Sequence, residues 1–438
     1  MLTLVFLLVI MVLIVIATTK WQVHPFLTLL IAAVMMGFLG GLDSNLVLSS
    51  LLDGFGETLK SIGIVIACGT VIGTFLEQSG AAQSIASHLL KVVGEKKAPL
   101  AMNITGLIVS IPVFCDSGFV ILSSLNKAIS EKKAISIAVL AVSLATGLYA
   151  THVFVPPTPG PLAAAATLGA DIGLVLLLGL VVSIPTAFVG LLWARLFCKR
   201  FHIIPKEITE SKENEEPNLW HSLSPIFIPI ILIALRSLAN YPSSPLGDGL
   251  IKSLFDFIGH PVVALLMGVF IAFGLKIESS EDSRFELVAR GLKNAGAIIL
   301  ITGAGGAFGN ILRATEIGDT IGRIMTTWNI GLFLPFLIAA LLKSAQGSST
   351  VAIITTSAIV SPLLIPMGLS TPVAKALVVL SIGAGSMTIS HINDSYFWIV
   401  SQFSDMNTKT ALSCYSLATL FQGLTGILIV ALLAQLFI

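Results

Sequence analysis

Charge is what this sequence has least of. Asp, Glu, Lys and Arg make up 11% of its 438 residues, where soluble domains carry about 25%. A formal net charge of +1 offers no basic surface for a nucleic-acid partner. Cysteine is also scarce. Cys68, Cys115, Cys198 and Cys414 lie singly in apolar runs without metal-ligand spacing. Each reads as a small buried hydrophobe, so no disulfide framework, metal site or cofactor is implied. No H-E-x-x-H helix, G-x-S-x-G elbow or C-x-x-C pair occurs, which leaves an intramembrane hydrolase only as a remote alternative to a non-enzymatic role. Rings of identical carboxylates or carbonyls, the basis of a channel filter, are not visible in one chain.

What the chain has instead is apolar length. Hydrophobic residues make up 55% of it. Runs near the roughly 20 residues that cross a bilayer recur at 2–18, 25–42, 60–76, 134–154, 172–198, 223–239, 260–275, 294–312, 373–391 and 411–438. The expectation is an all-α polytopic membrane protein with about ten transmembrane helices, its first partner the lipid bilayer. The stretch "MLTLVFLLVIMVLIVIATTK" lacks the basic n-region and A-x-A-like site of a signal peptide. It reads as a retained first helix with its N-terminus outside.

Basic loops mark the cytoplasmic side. "KVVGEKK" (91–97) and "NKAISEKK" (126–133) flank an apolar stretch whose centre, "SIPVFCDSGF" (110–119), holds Pro112, Asp116 and Gly118. A single crossing would put the two loops on opposite sides. A re-entrant hairpin over about 99–126 keeps both cytoplasmic and accounts for the helix breakers. The charged linker within 199–220 then separates a first half, 1–198, from a second, 221–438, with a matching hairpin over about 332–365 broken at "KSAQGSST" (343–350). The halves align weakly: "GTVIGTFLEQSGAAQSIA" (69–86) pairs Gly69 and Gly73 with Gly305 and Gly309 of "GGAFGNILRATEIGDTIG" (305–322). His152 and His391 fall at corresponding helix ends. Two inverted-topology repeats with broken helices are a recurrent plan of secondary transporters.

Ionisable groups inside a bilayer are unfavourable by about 2.5–3.5 kcal/mol at a helix centre, so each calls for a reason. Asp116, with Ser117 and Gly118, sits on the first expected tip; a loop aspartate at the interface is the simpler alternative. At the second tip, "QGSSTVA" (346–352), a helix starting near Thr350 aims its positive end at small and hydroxyl residues. Close helix packing through Gly347, Ser348 and Ser349 would explain the same composition. "TGAGGAFGN" (302–310) resembles a nucleotide loop only superficially, since no strand precedes it and no ribose-binding acid follows. A broken or tightly packed helix fits better, with Asn310 toward a cavity and Thr70 as its counterpart. "VPPTPGPLAAAA" (155–166) unwinds the chain, either as an outer loop or as a cavity lining that carries Thr158. "SHINDSYFW" (390–398) places His391, Asn393 and Asp394 after an apolar run, with Tyr396, Phe397 and Trp398 behind them.

"QGSSTVA" and "GSMTISHINDSYFW" (385–398) resemble stretches of the gluconate:H⁺ symporter (gluconate permease) family. "IPVFCDSGFVIL" (111–122) and "FVPPTPGPLAAA" (154–165) are similar to its other hallmark segments, in the same order. The resemblance covers essentially the whole chain. It implies a multi-pass protein of the bacterial inner membrane, with both termini periplasmic on the charge reading above. It further implies proton-driven import of small hydroxy- or amino-acid-like carboxylates by a domain that moves against a scaffold. This chain departs from the family in having Cys115-Asp116 where an aromatic and a glutamate are frequent, and Lys343 where an arginine is. Both departures lie near the expected substrate, and glycerate, another sugar acid or D-serine stay open beside gluconate.

On this reading the substrate carboxylate is held by backbone N–H groups and hydroxyls around Asp116, Ser117, Gly118, Gly347, Ser348, Ser349 and Thr350. Its other polar groups are read by Thr70, Thr158, Asn310, Gln346 and Asn393. The proton is carried by Asp116 or Asp394, with His152 or His391 assisting, because desolvation favours a neutral carboxyl. Sodium coupling, through unwound carbonyls and Asn or Ser oxygens, is the alternative. A homodimer is an open possibility, by analogy with carriers of this type.

Overall fold

In hydrocarbon every backbone N–H and C=O must find its partner within the chain, which makes the helix the spanning form for such apolar runs. The computed structural model describes residues 2–94, 97–203, 217–240, 249–277, 283–315, 331–392 and 394–437, and all regular structure among them is helical. The first half runs α1 (Leu2–Thr19), α2 (Pro25–Leu39), α3 (Ser44–Gln78), α4 (Ala81–Val93), α5 (Ala98–Val109), α6 (Cys115–Lys133), α7 (Ile137–Phe154), α8 (Pro159–Leu168) and α9 (Ile172–Leu196). Then come α10 (Leu219–Ala239), α11 (Leu250–Ile258), α12 (Pro261–Ala272), α13 (Arg284–Ala314) and α14 (Phe333–Gln346). The chain closes with α15 (Ser349–Val360), α16 (Pro372–Met387), α17 (Ser395–Phe403) and α18 (Leu417–Phe437).

Six helical stretches among the described residues are long and apolar enough to cross a bilayer, and a seventh is reached if Lys252–Ile258 and Pro261–Ala272, bent by 62°, count as one span. This falls short of the ten expected from composition. Pro25–Leu39 and Pro372–Met387 are apolar helices of only 10–17 residues, and at about 1.5 Å per residue these do not reach across about 30 Å of hydrocarbon unaided. Helix exteriors differ by position. Val181, Ile184, Phe188 and Leu192 stand exposed along one side of α9 at helical spacing, the face suited to lipid tails. By contrast α7 is buried at every position, as a helix apolar all round must be.

The breaks fall where the sequence carries its helix breakers. Between α5 and α6 the chain is non-helical over 110–114, around Pro112; between α14 and α15 only Gly347 and Ser348 intervene. Gly347 has φ +81, a conformation that glycine adopts without the Cβ penalty. Pro156 and Pro157 separate α7 from α8. Neighbour relations recur in both halves: α5 and α9 flank α7, α14 and α18 flank α16, α2 lies on α13, and α12 lies on α3.

An extensive, close crossing joins α3 and α13. A Cβ on Gly54 would stand 2.6 Å from the Gly306 carbonyl oxygen and 2.6 Å from the Asn310 Cβ. Asn310 donates from Nδ2 to the Ser50 carbonyl at 2.8 Å, and Thr58 donates to the Gly54 carbonyl at 2.8 Å. "TGAGGAFGN" is thus an unbroken, tightly packed piece of α13, its glycines serving close approach.

Candidate functional site

Three helices begin at one buried place, and the last turn of a fourth closes it. Cys115 and Asp116 open α6, Ser349 and Thr350 open α15 behind Ser348, and Asp394 precedes Ser395 and Tyr396 of α17. Together with Phe114, Tyr149 and His152 they line a cavity of about 100 Å³. Each helix start carries partial positive charge from its unpaired N–H groups, and the three starts are compensated differently. Asp394 caps α17, its Oδ1 accepting the Tyr396 N–H at 3.1 Å. Ser348 caps α15 with a neutral hydroxyl that accepts the Val351 N–H at 3.3 Å. Phe114 gives α6 no side-chain cap, and the acid in its first turn is Asp116.

Behind Asp394 lies a buried cation. Lys343 Nζ is 2.6 Å from Asp394 Oδ2, with the two side chains 1% and 5% exposed. The same ammonium donates to the Gly347 carbonyl at 2.5 Å and sits 5.8 Å from the Tyr149 ring centre. The Ser390 hydroxyl also donates to Asp394 Oδ2. A charged pair this deeply buried is held in place by such additional hydrogen bonds. Aromatic rings wall the site: Tyr149 and Tyr396 centres are 5.5 Å apart, and Tyr396 and Tyr415 meet edge-on at 5.6 Å. The hydroxyls of Tyr149 and Tyr396 donate to the Ser386 and Ala145 carbonyls. His152 is buried, and its Nδ1 has no hydrogen-bond partner.

Of the residues expected from sequence, Asp116, His152, Ser348, Ser349, Thr350 and Asp394 come together here. The others among the described residues do not line this cavity, and their contacts show where they are held. The Thr70 hydroxyl is turned onto its own helix, to the Ile66 and Ala67 carbonyls, and the Thr158 hydroxyl bonds the Val155 carbonyl. Asn310 is spent on the α3–α13 crossing. Ser117 hydrogen-bonds the Glu77 side chain. A Cβ on Gly118 would meet Leu148 at 2.9 Å, so that glycine serves packing. Gly347 ends α14 and offers its carbonyl to Lys343. His391 Nε2 lies 3.1 Å from the Ser344 carbonyl oxygen. The Gln346 amide is buried beside the break without a hydrogen-bond partner. Asn393 lies outside the described residues.

Sequence reasoning placed Lys343 near the expected substrate without assigning it a role in the site, and missed Tyr149. Two signals were present. Lys343 is the only charged residue in the α14 segment "FLPFLIAALLKSAQ", so its charge needs a buried partner. The sequence also has only four tyrosines, and two of them line this cavity.

A wider cleft of about 510 Å³ opens between α3, represented by Ser61 and Ile62, and the α8–α9 and α16 ends at Gly169, Asp171 and Lys375. It adjoins a space of about 370 Å³ bordered by Glu57, Arg313 and Ser361.

Known proteins resemble the chain over nearly its whole length. Residues 2–437 match the family described as GntP family permease. A gluconate permease of Pseudomonas aeruginosa is 33% identical over 427 residues, covering 95% of this chain and 94% of its own. The D-serine transporter DsdX of Escherichia coli is 32% identical over 431 residues, covering 96% of each chain. Among solved structures, the YdaH transporter of Alcanivorax borkumensis aligns with a TM-score of 0.65 at 15% identity, over 95% of this chain and 99% of its own. At that identity the likeness is one of fold.

Proposed function

This chain belongs to the GntP permease family, and from that premise we propose that it is a proton-coupled importer of a small carboxylate in the bacterial inner membrane. It is a multi-pass membrane permease and not an enzyme, as its family and relatives are. The observation that carries the substrate class is the convergence of α6 and α15, whose starts lack a charged cap, on one cavity beside a buried ammonium. The helix starts favour an anion, and Lys343 does so once its pairing with Asp394 is broken. Gluconate is the leading candidate, and D-serine, which a relative transports, is the second.

Coupling rests on a carboxylate of the site, Asp116 or Asp394, with His152 beside them. Co-transport of a proton with a monoanion keeps the loaded site from gaining charge as it moves. Elevator-type movement is the proposed route: residues 1–198 and 221–438 form inverted repeats, and the broken pairs α5–α6 and α14–α15 travel with the substrate past α3 and α13. The recurring neighbour relations and the cleft beside α3 support this reading.

Reconstitution into proteoliposomes tests the function. Labelled gluconate or D-serine should accumulate when the outside is made acidic, with sodium absent throughout. Accumulation driven by a sodium gradient alone, with none driven by acid, would replace the proton with sodium. Uptake of neither compound under either gradient would remove the carboxylate reading.

A further inference from the structure

The Lys343–Asp394 pair has a geometry that a merely structural pair would not need. Asp394 lines the cavity, and Lys343 lies one carboxylate deeper, so the site's one buried cation is screened from the cavity by the protein's own acid. We propose that Asp394 is a built-in stand-in for the substrate's carboxylate. In the empty carrier it neutralises Lys343. A substrate takes Lys343 only when Asp394 releases it by accepting a proton from solution. This rests on the carboxylate-carrier reading above and adds a residue pair and a stoichiometry to it.

The exchange balances. One proton goes to Asp394 Oδ2, the Lys343–Asp394 ion pair breaks, and a Lys343–carboxylate pair forms, so the site's net charge is the same before and after. The surroundings accommodate both forms. Ser390 donates to Oδ2 in the ionised state, and its hydroxyl oxygen can accept from a protonated Oδ2 after a rotation. Oδ1 keeps the Tyr396 N–H in either state. Lys343 remains held by the Gly347 carbonyl, at the very break that starts α15.

The other titratable groups around the pair are Cys115 and Asp116 of α6, Tyr149 and His152 of α7, Tyr396 of α17, and Tyr415. None of them hydrogen-bonds Lys343 among the described contacts, whereas Asp394 does. His391 is turned to the Ser344 carbonyl instead. Asp116 is the one further carboxylate on the cavity, and it is the competitor to be separated by experiment.

The test measures gluconate and D-serine binding to purified protein, with proton uptake followed by a pH dye in weak buffer. Wild type should take up about one proton per anion bound and bind more tightly as pH falls. Asp394→Asn keeps a cap for α17 and should bind the anion with no proton uptake. Lys343→Met combined with Asp394→Asn replaces the pair by uncharged groups of similar size, which leaves the fold intact. It should bind roughly tenfold to hundredfold more weakly while unfolding near the wild-type temperature. Proton uptake that persists in Asp394→Asn, or is lost only in Asp116→Asn, overturns the exchange but leaves the transporter standing. Unweakened binding by the folded double variant does the same. A wild-type protein that binds neither compound removes the carboxylate reading, and the exchange with it.

Discussion

Ser349→Pro is expected to weaken gluconate or D-serine binding by about tenfold to hundredfold while leaving the helix it opens in place. Ser349 is the first residue of α15, and proline is well tolerated there because that position has no intrahelical partner for its N–H. The residue before a proline must be extended. Ser348 already is, at φ −97 and ψ 118. The substitution therefore removes one backbone donor from the cavity wall without requiring the chain to bend. A hydrogen bond to a charged group contributes about 1.5–3 kcal/mol, which is the source of the predicted factor. Ser349→Ala separates hydroxyl from backbone: if the N–H is the binding group, alanine should bind within about threefold of wild type, a change of well under 1.4 kcal/mol. Equal binding by the proline variant and wild type would mean that the start of α15 does not hold the carboxylate.

How much of this was legible beforehand depends on which physical signal each residue carries. Hydropathy locates most apolar helices to within a few residues; α7 and α9 begin and end near the runs at 134–154 and 172–198. It does not count crossings, because short helices such as α2 and long ones such as α3, 35 residues, leave the same apolar trace. Helix breakers are equally readable, and Pro112 and Gly347 both lie at interruptions. Side-chain direction is not. Thr70 and Asn310 look like cavity residues in a linear reading because hydroxyls and amides are rare in apolar runs. A threonine within a helix can satisfy itself on the preceding turn, as Thr70 does. Asn310 finds a carbonyl across a helix crossing that only the fold creates. Lys343 and Asp394 are 51 positions apart. Their pairing needs α14 and α17 to be brought together, and that information is spread over the packing of the whole second half.

Gly306→Leu should destabilise the protein strongly, by about 3 kcal/mol or more. The position faces both a side chain and the backbone of α3. A Cβ there would overlap the Thr58 Oγ1 and stand 2.7 Å from the Gly54 carbonyl oxygen and 2.9 Å from the Thr58 Cβ. Overpacking usually costs about 1–3 kcal/mol because neighbouring side chains can shift. A carbonyl within a long helix cannot, so α3 and α13 must separate along their length, and the Asn310–Ser50 bond is lost with the contact. Gly296, earlier on the same helix, has nothing within 4 Å of its Cβ position. Gly296→Leu should therefore be neutral or stabilising by about 0.5–1 kcal/mol, since leucine is the better helix former. Thermal unfolding of the two variants in one detergent isolates packing from propensity, because both replace glycine by leucine in α13. Equal unfolding temperatures would show that the two helices are not in backbone contact. The comparison also bears on transport. A carrier that moves one group of helices needs a fixed surface to move against, and a crossing with no room for a methyl group suits that role.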